Sequence, residues 1–362
     1  MYYFNNQMSL EYYPLKVIKK QQETKNSYSF YFSVAKEHES IFSYKTSQFL
    51  TFKFSIKGKD YLRSYSLSSS PFLEEPLQTS VKRVEGGIVS NYMIDFVNEG
   101  DEILSQKPLG NFFTLPKTLD NKNYILFSAG IGITPLFSIL KTALQSNLCK
   151  KMFLIYSNKK EDDILYKKSL NQWQEKYPDT LEIQYLLSEK GARLDSQKLS
   201  KVLEKFSLKD SLFYLCGPKD YMNFISDTLL EKGCSSACIF KEDFNVVPVL
   251  GPKPDKYSVF FEKGYAVEEE PKILKATLNG EDIEINMNRE KSLLEQLLDQ
   301  GHNVPFSCAS GSCMTCMAKL KEGKIFQLEE GILDEENIES LEMLTCQCYP
   351  LSKKVVIDYD DL

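Results

Sequence analysis

The sequence predicts a multidomain fold: an antiparallel β-barrel, then a parallel α/β sheet, then a small C-terminal α+β module. Three observations predict it. Residues 10–117 run as short alternating strands separated by turn formers. Residues 118–245 change to a strand–helix rhythm, and five of the nine cysteines crowd between Cys308 and Cys348.

The barrel rests on segments such as Tyr28–Val34, Phe49–Phe54 and Leu77–Val81, with turns at Lys57-Gly-Lys-Asp60 and Asn98-Glu-Gly-Asp101. Frequent short strands of this kind close on themselves rather than form a long open sheet. In the second stretch, strands at Tyr124–Phe127, Met152–Tyr156, Leu181–Leu186 and Leu212–Leu215 are each followed by a helical pattern, the first running from Pro135 to about Leu144. Such alternation builds a parallel sheet covered on both faces, with ligands at the carboxyl ends of its strands.

Residues 246–270 hold Pro248, Gly251, Pro252, Pro254 and the acidic run Glu268–Glu270. They read as a linker, although Tyr257–Phe261 has strand character. The last module, 271–362, opens with a hairpin signal at Lys275–Ile285, because Asn279-Gly280 suits a two-residue type I′ turn. Leu293, Leu294, Leu297 and Leu298 then form one apolar helix face.

Composition narrows the function. The chain has 362 residues, 42% of them hydrophobic, and a formal net charge of −6. From Pro271 onward there are 9 Lys+Arg against 17 Asp+Glu, so all the excess acidity lies in the last module. That argues against nucleic-acid binding and for a negative surface that steers a basic protein partner. No apolar run is long enough to span a bilayer, and residues 1–15 lack a signal-peptide pattern. A cytoplasmic location follows, where a cysteine cluster points to metal rather than to disulfides.

Cys308, Cys313, Cys316 and Cys346 follow the pattern C-x₄-C-x₂-C-x₂₉-C. Four thiolates so spaced, three in one loop of small residues, are the plant-type arrangement for a [2Fe–2S] cluster. Structural zinc usually takes two separated C-x-x-C or C-x-x-H pairs, and only one C-x₂-C pair is present. The two histidines, His38 and His302, stand in no paired setting, which excludes a Rieske centre.

Residues 271–362 resemble a plant-type ferredoxin, from Pro305-Phe-Ser-Cys308 through Leu344-Thr-Cys346 to Tyr349-Pro350. The resemblance implies a β-grasp fold. Met314 departs from the Gly, Ser or Ala usual in that family, and Cys348 from its Ala; the Leu-Thr-Cys match favours Cys346 as the fourth ligand.

Arg63-Ser-Tyr-Ser66 resembles the R-x-Y-S motif of the ferredoxin–NADP reductase family. On a strand, Arg63 grips a pyrophosphate through its planar fork while Tyr65, two residues on, lies against the flavin ring. Ser66 reaches the flavin N5 edge. Val81–Ser90, including Lys82, Gly87 and Ser90, resembles the family's next segment, in which the glycine and serine face the flavin phosphates. Ser90 is expected to begin a helix whose N-terminus favours an anion. Pro108-Leu-Gly-Asn-Phe112 resembles the family's P-x-G-x-F. The resemblance implies a six-stranded barrel and FAD rather than FMN.

Ser128-Ala-Gly-Ile-Gly-Ile-Thr-Pro135 follows a strand and opens a helix. Gly130, Gly132, Thr134 and Pro135 match that family's G-x-G-x-T-P dinucleotide loop, and Leu215-Cys216-Gly217-Pro218 resembles its C-G-P, whose cysteine lies beside the nicotinamide. Glu242 resembles the acidic residue near the hydride path. Asn158 and Lys159, with Arg193 beyond the next strand, supply neutral and basic groups where NAD-preferring sites place an acid. NADPH is expected, with NADH the alternative because Glu161 is close in sequence.

The order explains the chemistry. A nicotinamide gives a hydride, a flavin splits the pair, and the cluster carries single electrons outward. The arrangement resembles the reductase components of phenylacetyl-CoA epoxidase and related oxygenases, which implies an oxygenase or hydroxylase as acceptor. A desaturase or a hybrid-cluster protein is an alternative acceptor. A zinc-stabilised interaction module on a degenerate reductase is the reading from another class.

Overall fold

The computed structural model describes residues 12–108, 110, 112–113, 115, 122–242, 244, 259–264, 270–302, 304–306, 311, 314, 316–327, 333 and 335–362. Two compact units emerge, one from Tyr12 to Phe244 and one including Asn245–Leu362.

The first unit begins with six antiparallel strands: β1 Tyr13–Thr24, β2 Ser27–Val34, β3 Phe49–Ile56, β4 Lys59–Ser66, β5 Leu77–Lys82 and, after helix α1 Ile88–Phe96, β6 Glu102–Ser105. Their order is β4-β3-β6-β1-β2-β5. The two ends meet where Leu67, just past β4, bridges Thr79 of β5, and Ser68 N donates to Gln78 O at 2.8 Å. This closure removes the open edges and makes a barrel. Inward positions carry Leu15, Val17, Phe30, Phe32, Leu50 and Phe52, all essentially fully buried. Each such side chain contributes roughly 1.5–3 kcal/mol.

Five parallel strands follow: β7 Asn123–Ala129, β8 Lys151–Asn158, β9 Leu181–Leu187, β10 Ser211–Cys216 and β11 Ile239–Glu242. Helices α2 Ile133–Gln145, α3 Lys167–Lys176, α4 Ser196–Leu203 and α5 Lys219–Glu231 connect them. The order β11-β10-β7-β8-β9 places β10 on the opposite side of β7 from β8. The strand order therefore reverses between β7 and β10, which opens a crevice at their carboxyl ends. Separate apolar clusters cover the two faces, one around Leu126, Leu136 and Tyr156, the other around Phe127, Phe213 and Ile225. This explains why the strands read as continuous apolar runs.

The second unit contains β12 Val259–Lys263, β13 Ile273–Leu278, β14 Glu281–Asn286, α6 Leu293–Asp299, β15 Met317–Gln327, α7 Glu335–Glu339, β16 Glu342–Leu344, β17 Cys348–Pro350 and β18 Lys354–Asp358. The order β12-β15-β18-β13-β14 has a parallel pair, β13 with β18, at its centre. Packing α6 over that sheet gives the β-grasp. Asn279 and Gly280 take φ values of 53° and 74°, as a type I′ turn requires. Ser292 and Glu295 cap α6 reciprocally.

One expectation needs correction. The stretch 246–270 is not all linker, because β12 lies within it and pairs antiparallel with β15. Phe261 is buried in this unit's core, in keeping with the strand character of Tyr257–Phe261 in the sequence. Pro248, Gly251, Pro252, Pro254, Tyr257, Glu268 and Glu269 lie outside the described residues.

Candidate redox site

Strand β4 carries the first group of site residues. Arg63, Tyr65 and Ser66 stand opposite Phe52, Leu50 and Phe49 of β3. Alternation puts Arg63 and Tyr65 on one face and Ser66 on the other. Arg63 is exposed, Tyr65 is half-buried and Ser66 is buried. The Tyr65 ring lies 6.2 Å from that of Phe52, and burial pushes its phenol pKa up.

The turn after β5 leads into α1. Gly87, not Ser90, occupies the N-cap. Ser90 is the third helical residue, and its buried hydroxyl accepts from Val84 N at 3.2 Å. The cause is packing: a Cβ on Gly87 would stand 2.6 Å from Ser90 Oγ and 2.9 Å from Val84 Cβ. Backbone N–H groups of this first turn lack intrahelical acceptors, which suits an anion. Lys82 ends β5 on the exposed surface, and its Nζ lies 3.9 Å from where a Cβ on Gly130 would stand. In the P-x-G-x-F segment, Leu109 and Asn111 lie outside the described residues.

The β7–α2 turn forms the second wall. Gly130 has φ +56°, and its carbonyl accepts from Tyr156 Oη at 2.9 Å. At Gly132 a Cβ would lie 2.2 Å from the Cys216 carbonyl oxygen, and at Gly217 it would lie 2.9 Å from Ala129 Cβ. Side chains at these two positions would force apart the strand ends that form the cradle. Thr134 Oγ1 donates to Ile131 O at 3.1 Å. Pro135, in the first turn of α2, gives up an N–H that has no helical partner there. Ser128 Oγ is buried without a hydrogen-bond partner among the described residues. A glycine-lined cradle with a spare hydroxyl fits a dinucleotide.

The two walls meet at three strand ends. Cys216 of β10 is in register with Ser128 of β7 and with Glu242 of β11. Ser66 Oγ donates to Glu242 Oε2 at 3.4 Å. Burial raises the Glu242 pKa from 4.5 to about 8, against the lowering effect of Ser66. Ser66, Cys216 and Glu242, distant in sequence, therefore gather at the switch-point crevice.

Asn158 is buried at the end of β8, Lys159 is exposed beside it, and Arg193 is exposed in the turn beyond β9. Glu161, two residues beyond Lys159, is neutralised by lysines. It pairs with Lys167 and, at 3.4 Å, with Lys190, and hydrogen bonds from these lysines lower its pKa.

In the second unit Cys308 and Cys313 lie outside the described residues. Cys316 and Cys346 are both buried and are tied through Thr345, whose N and Oγ1 donate to Cys316 O at 3.1 and 2.8 Å. Cys348 instead donates its thiol to Gln327 Oε1 at 3.2 Å. Met314 holds a left-handed φ of 56°. That conformation is costly for a residue with a Cβ and favours glycine. Two buried thiols held close through Thr345 suit an iron–sulfur cluster.

Several participants carried no sequence signal. Tyr156 supports the Gly130 carbonyl from a neighbouring strand. Gln347 lies 3.0 Å from a would-be Cβ on Gly311 and directs its amide to Cys346 Sγ at 3.8 Å. Both depend on contacts set by the fold.

Three domain families match the chain. Residues 14–113 match the oxidoreductase FAD-binding domain family, 126–227 the oxidoreductase NAD-binding domain family, and 276–351 the 2Fe-2S iron-sulfur cluster binding domain family. The chain is 31% identical over 339 residues to the ferredoxin reductase component of 3-ketosteroid-9-alpha-monooxygenase from Rhodococcus rhodochrous, covering 93% of this chain and 94% of that one. It is 28% identical over 360 residues to a subunit of 1,2-phenylacetyl-CoA epoxidase from Escherichia coli, covering 96% and 98%. Phthalate dioxygenase reductase shares the fold, with a TM-score of 0.60 over 96% of this chain and 98% of that one at 22% identity.

Barrel, parallel sheet and β-grasp together define an oxidoreductase whose cofactors are FAD, NAD(P)H and a [2Fe–2S] cluster. The chain belongs to the family of ferredoxin reductase components that work with monooxygenases. No helix among the described residues is long and apolar enough to cross a membrane.

Proposed function

We propose that this chain takes a hydride from NADPH and delivers electrons one at a time, through FAD and the cluster, to an oxygenase or hydroxylase. The observation that carries this reading is the meeting of Ser66, Cys216 and Glu242 where the barrel joins the switch point of the sheet. Bound flavin supplies the conversion from two-electron to one-electron chemistry, and the protein supplies position and electrostatics.

Arg63 holds the pyrophosphate and Tyr65 packs against the flavin ring. Gly87 and the first turn of α1, with Ser90 and Lys82, face the phosphates. Gly130, Gly132, Thr134, Pro135 and Gly217 let the nicotinamide dinucleotide approach the backbone. Cys216 fills the floor under the reacting ring. Glu242 carries its proton at neutral pH and so offers a hydroxyl rather than a charge beside Ser66, leaving the crevice neutral for an incoming hydride. Asn158, Lys159 and Arg193 bind the 2′-phosphate side. The ion pairs of Glu161 with Lys167 and Lys190 support NADPH, because they draw its charge away from that phosphate.

Cys308, Cys313, Cys316 and Cys346 hold the cluster, and the engagement of Cys348 with Gln327 supports this choice. The acidic module, with 17 Asp+Glu against 9 Lys+Arg from Pro271 onward, is the surface on which a basic partner docks. Buried cysteine thiols suit the reducing cytoplasm.

Anaerobic isolation tests the reading. Flavin and iron in about a 1:2 ratio, acid-labile sulfide, and a cluster electron paramagnetic resonance signal on adding NADPH are the expected results. A preparation without labile sulfide overturns it.

A further inference from the structure

Helix α2 is buried along Ile133–Leu144, yet one face of it is polar. That face packs on the barrel loops around β4. Ser138 Oγ donates to Ser69 O at 2.6 Å and accepts from Ser47 N at 3.1 Å. Thr142 Oγ1 meets Ser70 Oγ at 2.7 Å and Thr46 Oγ1 at 2.9 Å. Lys141, only 3% exposed, places Nζ 2.5 Å from Glu75 Oε1, and the same oxygen accepts from Ser70 N at 2.6 Å.

The location gives these bonds meaning. Ser69 and Ser70 follow Ser66 by a few residues, while Lys141 belongs to the helix that begins just after Gly132. A chain of directional bonds thus links the flavin strand to the dinucleotide loop. For stability alone, burying a lysine against a half-buried carboxylate is a poor choice, since apolar residues of similar volume often do as well or better. Its distinguishing property is a single preferred geometry. Apolar contact is non-directional, whereas a charge-assisted hydrogen bond specifies both distance and direction.

We propose that Lys141 is a positioning residue: its pair with Glu75 holds α2, and with it the dinucleotide loop, at the distance from the flavin strand that hydride transfer needs. This rests on the assignment of the two loops under Proposed function.

The test compares wild type with the neutral pair Lys141→Met plus Glu75→Gln in the cofactor-loaded full chain. The single change Lys141→Met leaves the half-buried Glu75 carboxylate without its cation, so charge loss and mispairing would be confounded. The double variant removes both charges and keeps an acceptor for Ser70 N. Flavin reduction is followed by anaerobic stopped flow with NADPH and its C4-deuterated form. The flavin–nicotinamide charge-transfer band, NADP⁺ affinity and Tm are measured alongside.

The double variant is expected to keep its flavin and its NADP⁺ affinity. Its reduction is expected to slow about tenfold, with a weaker charge-transfer band and a more temperature-dependent isotope effect. An unchanged rate, band and isotope effect, whatever the Tm, overturns the proposal and leaves a purely structural pair. Failure of wild-type flavin to be reduced at all would instead overturn the functional assignment on which it rests.

Discussion

The hydroxyl of Ser66, at the end of a barrel strand, donates at 3.4 Å to the buried carboxyl of Glu242, at the end of the last strand of the parallel sheet. This bond crosses 176 residues of sequence and places a protonated acid in the crevice. Burial raises Glu242 from 4.5 to about 8, so the folded chain keeps a proton that the unfolded chain releases. The stabilisation is complete below about pH 4.5 and is lost as pH rises to about 8, with a slope of at most about 1.4 kcal/mol per pH unit. Glu242→Gln should flatten this part of the profile in flavin-free protein, measured by urea midpoints from about pH 5 to 8. A wild-type profile already flat there counts against the assignment.

Gly132 touches the backbone of Cys216. In Gly132→Ala the new methyl would begin 2.2 Å from a carbonyl oxygen, so the strand ends must separate. We expect a loss of about 1–3 kcal/mol, a lower Tm, and weakened nicotinamide binding with flavin retained. Calorimetry and titration with NADP⁺ check both parts.

Tyr65→Ala removes the ring placed against the flavin. Flavin affinity should fall about tenfold, in line with the roughly 0.5–1.5 kcal/mol of an aromatic pair, while iron content stays constant. Unchanged flavin occupancy after extensive dialysis would refute the stacking role.

The two neighbouring cysteines should behave differently. Cys346→Ser is expected to abolish the visible and paramagnetic signatures of the cluster while NADPH still reduces the flavin. Cys348→Ser, which breaks the bond to Gln327, should retain them. The reverse pattern would exchange their roles.

Lys159→Ala combined with Arg193→Ala should lower kcat/KM for NADPH about ten- to hundredfold, the worth of one or two charge-assisted bonds, and leave NADH nearly unaffected. Equal losses with both nucleotides would mean that these residues do not read the phosphate.

Much of this was legible in the residues themselves. The interval from Cys308 to Cys346, the Arg63–Ser66 tetrapeptide and the glycines at 130 and 132 are local patterns, and local chemistry explains them. Strand β12 was legible only as strand character at Tyr257–Phe261, because proline and glycine around it mimic a linker and its pairing partner lies about sixty residues away. Ser90 was legible only in part: serine favours a cap, but Gly87 is the only residue that fits against Val84 and Ser90.

Lys141 shows the limit most clearly. It carries no motif in the sequence, yet it is buried and paired with Glu75. Three modules, their order and the chemistry available to each follow from periodicity, turn residues and ligand spacing, which act over short distances. That Ser66 meets Glu242, that Tyr156 supports Gly130 and that Lys141 finds a carboxylate became visible in the folded chain alone. Those contacts join segments far apart in the chain, and the free energy that selects them arises from packing and desolvation of the whole unit.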